Sequence, residues 1–273
     1  MSFFRRIFTK NVLAFLSGPA AWLGARAIAF PALAKLFAAW NLNEVTYVYV
    51  PAWARFVANR SGEIIDIFAL TAAVAAFLAF LRPQRPRVRP LASAFCAGAA
   101  AAAVPMGILL LAGCVRLSSA RDFSAPAMCV FLVREALYCL FASLWIRQIV
   151  VSALQRHPGI AIALCGVLQA ALLVFDAGIA NATIFVNGVL IGAAFAIWYR
   201  KTRSPFPEAA FSFAFLAVSR VAFGFPDLGG AYVVSEEWLS GFGTGSLEGA
   251  GLMTILLAAG YLAAIFLPKI RHE

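Results

Sequence analysis

Apolar residues in this chain come in long unbroken runs, not in the alternating pattern of half-buried strands. The runs at about 64–81, 91–113, 125–154, 159–175, 180–199, 208–225 and 250–267 each approach or exceed the ~20 residues that cross a hydrocarbon layer at ~1.5 Å per residue. An earlier run, 11–40, follows the basic start MSFFRRIFTK. That beginning fits either a secretory signal, with GARAIA as its cleavage site, or a first span. The run outlasts an ordinary signal, carries Arg26 and Lys35, and contains Pro19 and Pro31, so a bent or partly interfacial span is the favoured reading. Residues 41–63 form a loop. Its TYVYVPAWARF portion predicts an aromatic-rich segment on the membrane surface, with packing over the bundle as the alternative. The pattern as a whole predicts an all-α polytopic transmembrane helical bundle of about eight spans. It reads as one membrane domain over 1–273, with its core at about 64–268 and an N-terminal span plus interfacial loop at 1–63.

The polar punctuation between runs predicts the orientation. Arg5, Arg6 and Lys10, then Arg82, Arg85, Arg87 and Arg89, then Arg147 and Arg156, then Arg200, Lys201 and Arg203, then Lys269 and Arg271 fall on one side of the alternating spans. Only Arg55, Arg60, Arg116 and Arg121 fall on the other. Lys and Arg accumulate in cytoplasmic loops, so both termini are expected in the cytoplasm. The expected location is a bacterial inner membrane.

Composition agrees. The chain is 63% hydrophobic and 12% charged, and its mean hydropathy is +0.88. A soluble domain is nearer half apolar and a quarter charged. The net charge of +10 raises nucleic acid as a partner, but the arginines are spread over alternate loops and build no single patch. Anionic lipid headgroups answer that charge better, so the expected partners are the bilayer and a membrane-anchored peptide or protein, with no nucleic acid. The five cysteines show no CxxC spacing and the two histidines, His157 and His272, lie in polar segments. No metal site and no cofactor are expected. The Ala/Gly-rich FCAGAAAAAVPMG predicts close helix contact, with a kink at Pro105.

Candidate chemistry centres on FLVREALYCLFASLWIRQ (131–148), where Arg134 and Glu135 fall in the middle of an apolar run. Intramembrane charge is costly and normally faces a protein interior or water-filled cavity. Glu135 lies 10 residues into its span from Pro126, roughly 14 Å deep. It reads as a carboxylate that activates water or binds a proton or cation, or as half of an ion pair with Arg134 or Arg220 that holds helices in register. Gln169 and Asn187 fall in the outer halves of their spans, which fits a shared polar intramembrane cluster of Arg134, Gln169, Asn187 and Arg220. Asn187, beside Gly188, equally fits a helix-packing hydrogen bond. Asp66 is read as solvated at a span end. Ser212 and Ser219 lack a positioned base and read as serines bonding their own helix backbone.

The order of features resembles the CPBP (Abi) family of intramembrane glutamic-type proteases, which process CAAX proteins and bacteriocins. An acidic motif stands in the fourth span, and FVNGVLIGAAFAIWYRKTRS is similar to the family's small-residue span before the seventh helix. The glycine-rich GFGTGSLEGAGLMTILLAA also fits. The resemblance covers about 124–268, and 64–113 more weakly. It implies a catalytic Glu-Glu pair with an arginine (EExxxR) on one span, FxxxH on the next and His-xxx-Asn on a later one. Here the first motif falls on Arg134, Glu135 and Cys139, the second on Gln169 and Leu173, and the third on Ser212 and Leu216. One glutamate remains, Glu135, as the catalytic candidate. The water-activating glutamate, the arginine and both histidines are substituted, so the ordinary hydrolysis cannot run. The resemblance therefore implies a catalytically degenerate binding or regulatory scaffold. The alternatives are an active intramembrane peptidase using Glu135, and a small transporter with Glu135 as its proton or cation site.

Overall fold

The structure, a computed structural model, describes residues 2–39, 51–80, 88–111, 117–119, 124–177, 182–222 and 232–234. These residues are helical apart from short connections and one small strand pairing. In chain order the helices are α1 (Ser2–Ala39), α2 (Ala52–Asn59), α3 (Ser61–Phe80), α4 (Val88–Leu111), α5 (Ala125–Ala142), α6 (Val150–Ala153), α7 (Pro158–Ala177), α8 (Ala182–Thr202) and α9 (Phe206–Leu216). A π-helical turn, Ser143–Ile149, joins α5 to α6 without a break, and a second one, Ala217–Ala222, extends α9. Strand β1 (Leu117–Ser119) pairs antiparallel with β2 (Tyr232–Val234), Ser118 opposite Val233.

Five of these helical segments are long and apolar enough to cross a membrane: Val12–Ala38, Ser61–Ala79, Val88–Ile108, Ala125–Ala153 and Ile184–Thr202. Two apolar helices shorter than a span, Pro158–Val174 and Phe206–Ser219, overlap the stretches 159–175 and 208–225 expected as the fifth and seventh spans. The expected eighth span, 250–267, lies outside the described residues, as does the basic loop 82–87. Helix α1 runs through Pro19 and Pro31 as one element. The surface segment of the 41–63 loop is the short helix α2; residues 41–50 lie outside the described residues.

Large apolar side chains point outward along most helices, among them Leu23, Phe30, Phe68, Ile108, Val133 and Ile160. That pattern suits a hydrocarbon surround, where apolar burial between helices gives no advantage over lipid. The interior is correspondingly held by small residues and a few aromatic contacts. Helix α1 packs on α3 and on the π turn. Ala14, Leu70, Phe77, Phe141 and Leu144 form one buried cluster, and the Trp145 indole N–H donates to the carbonyl of Phe15 at 3.0 Å. Phe141 stacks on Trp145 with centroids 5.6 Å apart.

Two glycines fix the spacing around the interior. A Cβ on Gly98 would sit 2.2 Å from the carbonyl oxygen of Phe211, so α4 and α9 approach to backbone contact there. A Cβ on Gly192 would sit 2.6 Å from the Cys165 carbonyl and 2.7 Å from the Gln169 Cβ, which closes the α7–α8 hairpin. Small residues permit such contact where larger ones would hold the helices apart.

Candidate functional site

Five elements, α4, α5 with its π turn, α7, α8 and α9, surround a cavity of about 550 Å³. Its walls are mainly apolar: Ala97, Ala101, Val104, Leu173, Phe211 and Phe215 are representative. The polar side chains in the wall are Arg147, Glu208, Gln169, Ser212, Tyr138 and Cys139. The volume lies within the ~300–1,000 Å³ typical of small-molecule sites, and so does the balance of many apolar groups with few polar ones.

Arg147 and Glu208 are the main charged feature of this wall. Arg147 Nε lies 2.8 Å from Glu208 Oε1, and the two residues are only 1% and 2% exposed. The Arg147 Nη1 group donates to the Ala142 carbonyl at 3.2 Å, and its guanidinium lies 5.2 Å from the centre of the Phe195 ring. The Ser143 hydroxyl stands at the same carboxylate. Burying two charges is costly unless they are mutually paired and further hydrogen-bonded. Here the partners come from three elements, so the pair ties the far end of the continuous α5–α6 segment to the start of α9.

This corrects the reading of Arg147 as a loop arginine. The apolar run continues past it to Leu154, and α6 ends only at Ala153, so Arg147 stands six positions inside the helix end. Glu208 was passed over as the first residue of its span. The signal that could have found the pair was already in the chain: an arginine followed by IVVSAL, and an acid directly after Pro207 at the start of an apolar helix.

The charged residues expected at mid-span gather elsewhere. Arg134 Nε lies 3.3 Å from Asp66 Oδ2 and its Nη1 also pairs with Glu135 Oε1. Arg26 Nε stands 3.5 Å from Asp66 Oδ1, with its guanidinium 5.2 Å from the Trp22 ring centre. Asp66 is thus not a solvated span end. It bridges α1, α3 and α5. Glu135 itself is 0% exposed and lines neither this nor the neighbouring cavity. The side chain of Arg220 lies outside the described residues, so its expected pairing with Glu135 does too. A second cavity, about 430 Å³, is bordered by Arg26, Asp66, Arg134, Trp22, Trp145 and Tyr138. Tyr138 borders both cavities.

The other expected site residues separate. Gln169 is 7% exposed and lies in the wall of the larger cavity, which Glu135 does not reach. Asn187 is fully buried on α8 beside Gly188, which packs on Ala170 of α7. Ser219 donates to the Leu216 carbonyl at 3.4 Å, a backbone bond within its own helix. Cys139, Gln169, Leu173, Ser212 and Leu216, which come from three different helices, all line the larger cavity. Of these five, Cys139, Leu173 and Leu216 were placed by motif register alone.

No protein-family profile, curated protein or solved structure matches this chain.

Proposed function

We propose that this is a membrane-embedded binding protein, built on a degenerate scaffold resembling the CPBP intramembrane proteases, that holds a membrane-anchored peptide in the larger cavity without cutting it. One observation carries the reading. Of the seven positions on which that family's motifs fall, five border one cavity, Cys139, Gln169, Leu173, Ser212 and Leu216, and the glutamate-pair positions Arg134 and Glu135 do not. Two of the five are leucines, and none of the five is a carboxylate or histidine. Glu208, the acid in the wall, is paired to Arg147, and that pairing opposes a role as a free general base. Glu135 is sealed from both cavities and paired to Arg134, which weighs against the peptidase alternative. In this reading the chain has eight spans with both termini in the cytoplasm of a bacterial inner membrane.

The test is binding and cleavage of a fluorescent farnesylated pentapeptide by purified protein in lipid nanodiscs. The wild type is expected to bind without releasing product. Ala101→Trp, which fills the cavity from α4, is expected to weaken binding at least tenfold with little change in thermal stability. Product release by the wild type, or equal binding by both proteins, overturns the proposal.

A further inference from the structure

The larger cavity carries buried polar atoms that no described residue satisfies. Gln169 Oε1 and Glu208 Oε2 are buried and accept no hydrogen bond, and both residues are more than nine-tenths buried. Arg147 Nε–H makes no hydrogen bond either: it lies 2.8 Å from Glu208 Oε1 as an ion pair, but is not directed along the bond. A buried polar group without a partner is costly, so each of these atoms favours an occupant that supplies the missing bond. Two need a donor and one needs an acceptor.

Charge narrows the class further. Arg147 and Glu208 neutralise each other, so the wall has no net charge to balance an ionic head. An ammonium or carboxylate brought there would be an unpaired ion in a largely apolar cavity, which is strongly disfavoured. A neutral group with two donor hydrogens and an acceptor side by side answers all three atoms. A primary carboxamide has that geometry. Turning the Gln169 side chain end for end changes which half of the amide it meets, not the match.

Resting on the binding reading above, we infer that the cavity recognises its occupant through a neutral amide, seated against Gln169, Glu208 and Arg147, with the occupant's apolar body along Ala97, Ala101, Val104 and Phe215. For a membrane-anchored peptide the recognised group is an Asn or Gln side-chain amide.

The test uses a diazirine-bearing dodecanamide, photo-crosslinked to the full-length protein in phosphatidylcholine vesicles and mapped by peptide mass spectrometry. Labelling is expected on α4 and α9 around Ala101 and Phe215. Unlabelled dodecanamide is expected to protect at about tenfold lower concentration than methyl dodecanoate, which lacks a donor, and lower still than dodecanoate or dodecylamine. Gln169→Leu, which leaves the ion pair intact, is expected to shrink the amide preference towards unity. The comparison of competitors on the wild type stands even if that variant misfolds. Equal protection by amide and ester, or better protection by either charged compound, overturns the amide inference and leaves the cavity as a peptide site. Labelling confined to lipid-facing surfaces overturns the amide inference and the binding reading together.

Discussion

Arg147 and Glu208 meet at 2.8 Å in a part of the protein that water scarcely reaches. Neither residue has another opposite charge beside it among the described ion pairs. Removing one partner should therefore hurt more than removing both. Arg147→Leu strands a buried carboxylate and is expected to destabilise by about 3–5 kcal/mol, whereas Arg147→Leu with Glu208→Gln restores much of that loss. Thermal unfolding of the purified variants in one detergent measures this. Additive shifts would show that the two side chains are not coupled.

Asp66 couples α1, α3 and α5 through Arg26 and Arg134. Asp66→Asn and Arg134→Leu should be non-additive, with an interaction energy of about 0.5–3 kcal/mol. Arg26 is more exposed, its side chain at 41%, so Arg26→Leu with Asp66→Asn should show weaker coupling. A double-mutant cycle on melting temperature decides the order. Equal coupling at the two arginines would contradict the geometry.

The close approach at Gly98 sets the width of the larger cavity. Gly98→Val forces α4 away from the Phe211 carbonyl and should cost several kcal/mol or prevent folding, by overpacking. On the same helix, a Cβ at Gly107 meets nothing within 4 Å. Gly107→Ala should be neutral or stabilise by up to about 1 kcal/mol through helix propensity. A destabilised Gly107→Ala would mean that α4 packs differently near Pro105.

Phe77 is fully buried, and its ring lies over Gly18 of α1. Phe77→Ala should cost about 3–5 kcal/mol by leaving a cavity between α1 and α3. Limited proteolysis of the variant should release the N-terminal helix before the rest. Coincident loss of all helices would show instead that α1 is not a separable layer.

Much of the helical order could be read from the chain because spans in lipid must be continuous apolar runs. Ser61–Phe80 and Ala182–Thr202 fall within three residues of the expected 64–81 and 180–199 boundaries. The site was less legible. Arg134 and Glu135 stood out because charges in mid-run are conspicuous, but they form a strut with Asp66. Arg147 and Glu208 sit near run ends, where an ionisable residue reads as a loop. Burial there depends on how three helices meet, which no single run encodes. The wall positions Cys139, Leu173 and Leu216 are chemically ordinary and became visible only through a motif register.

The wide turn at Ser143–Ile149 has one more consequence. At ~100° per residue, the eight positions from Cys139 to Arg147 would leave the two about 80° apart around an unbroken α-helix. Taking extra residues to close the turn brings Arg147 back to the face of Cys139, and both border the same cavity. The continuous α5–α6 segment is therefore out of phase with itself, one half clocked against the other by a single surplus residue. Deleting one residue from the turn would keep the span, its hydropathy and nearly its length. It would also swing the arginine out of the wall and take from Glu208 the cation it pairs with.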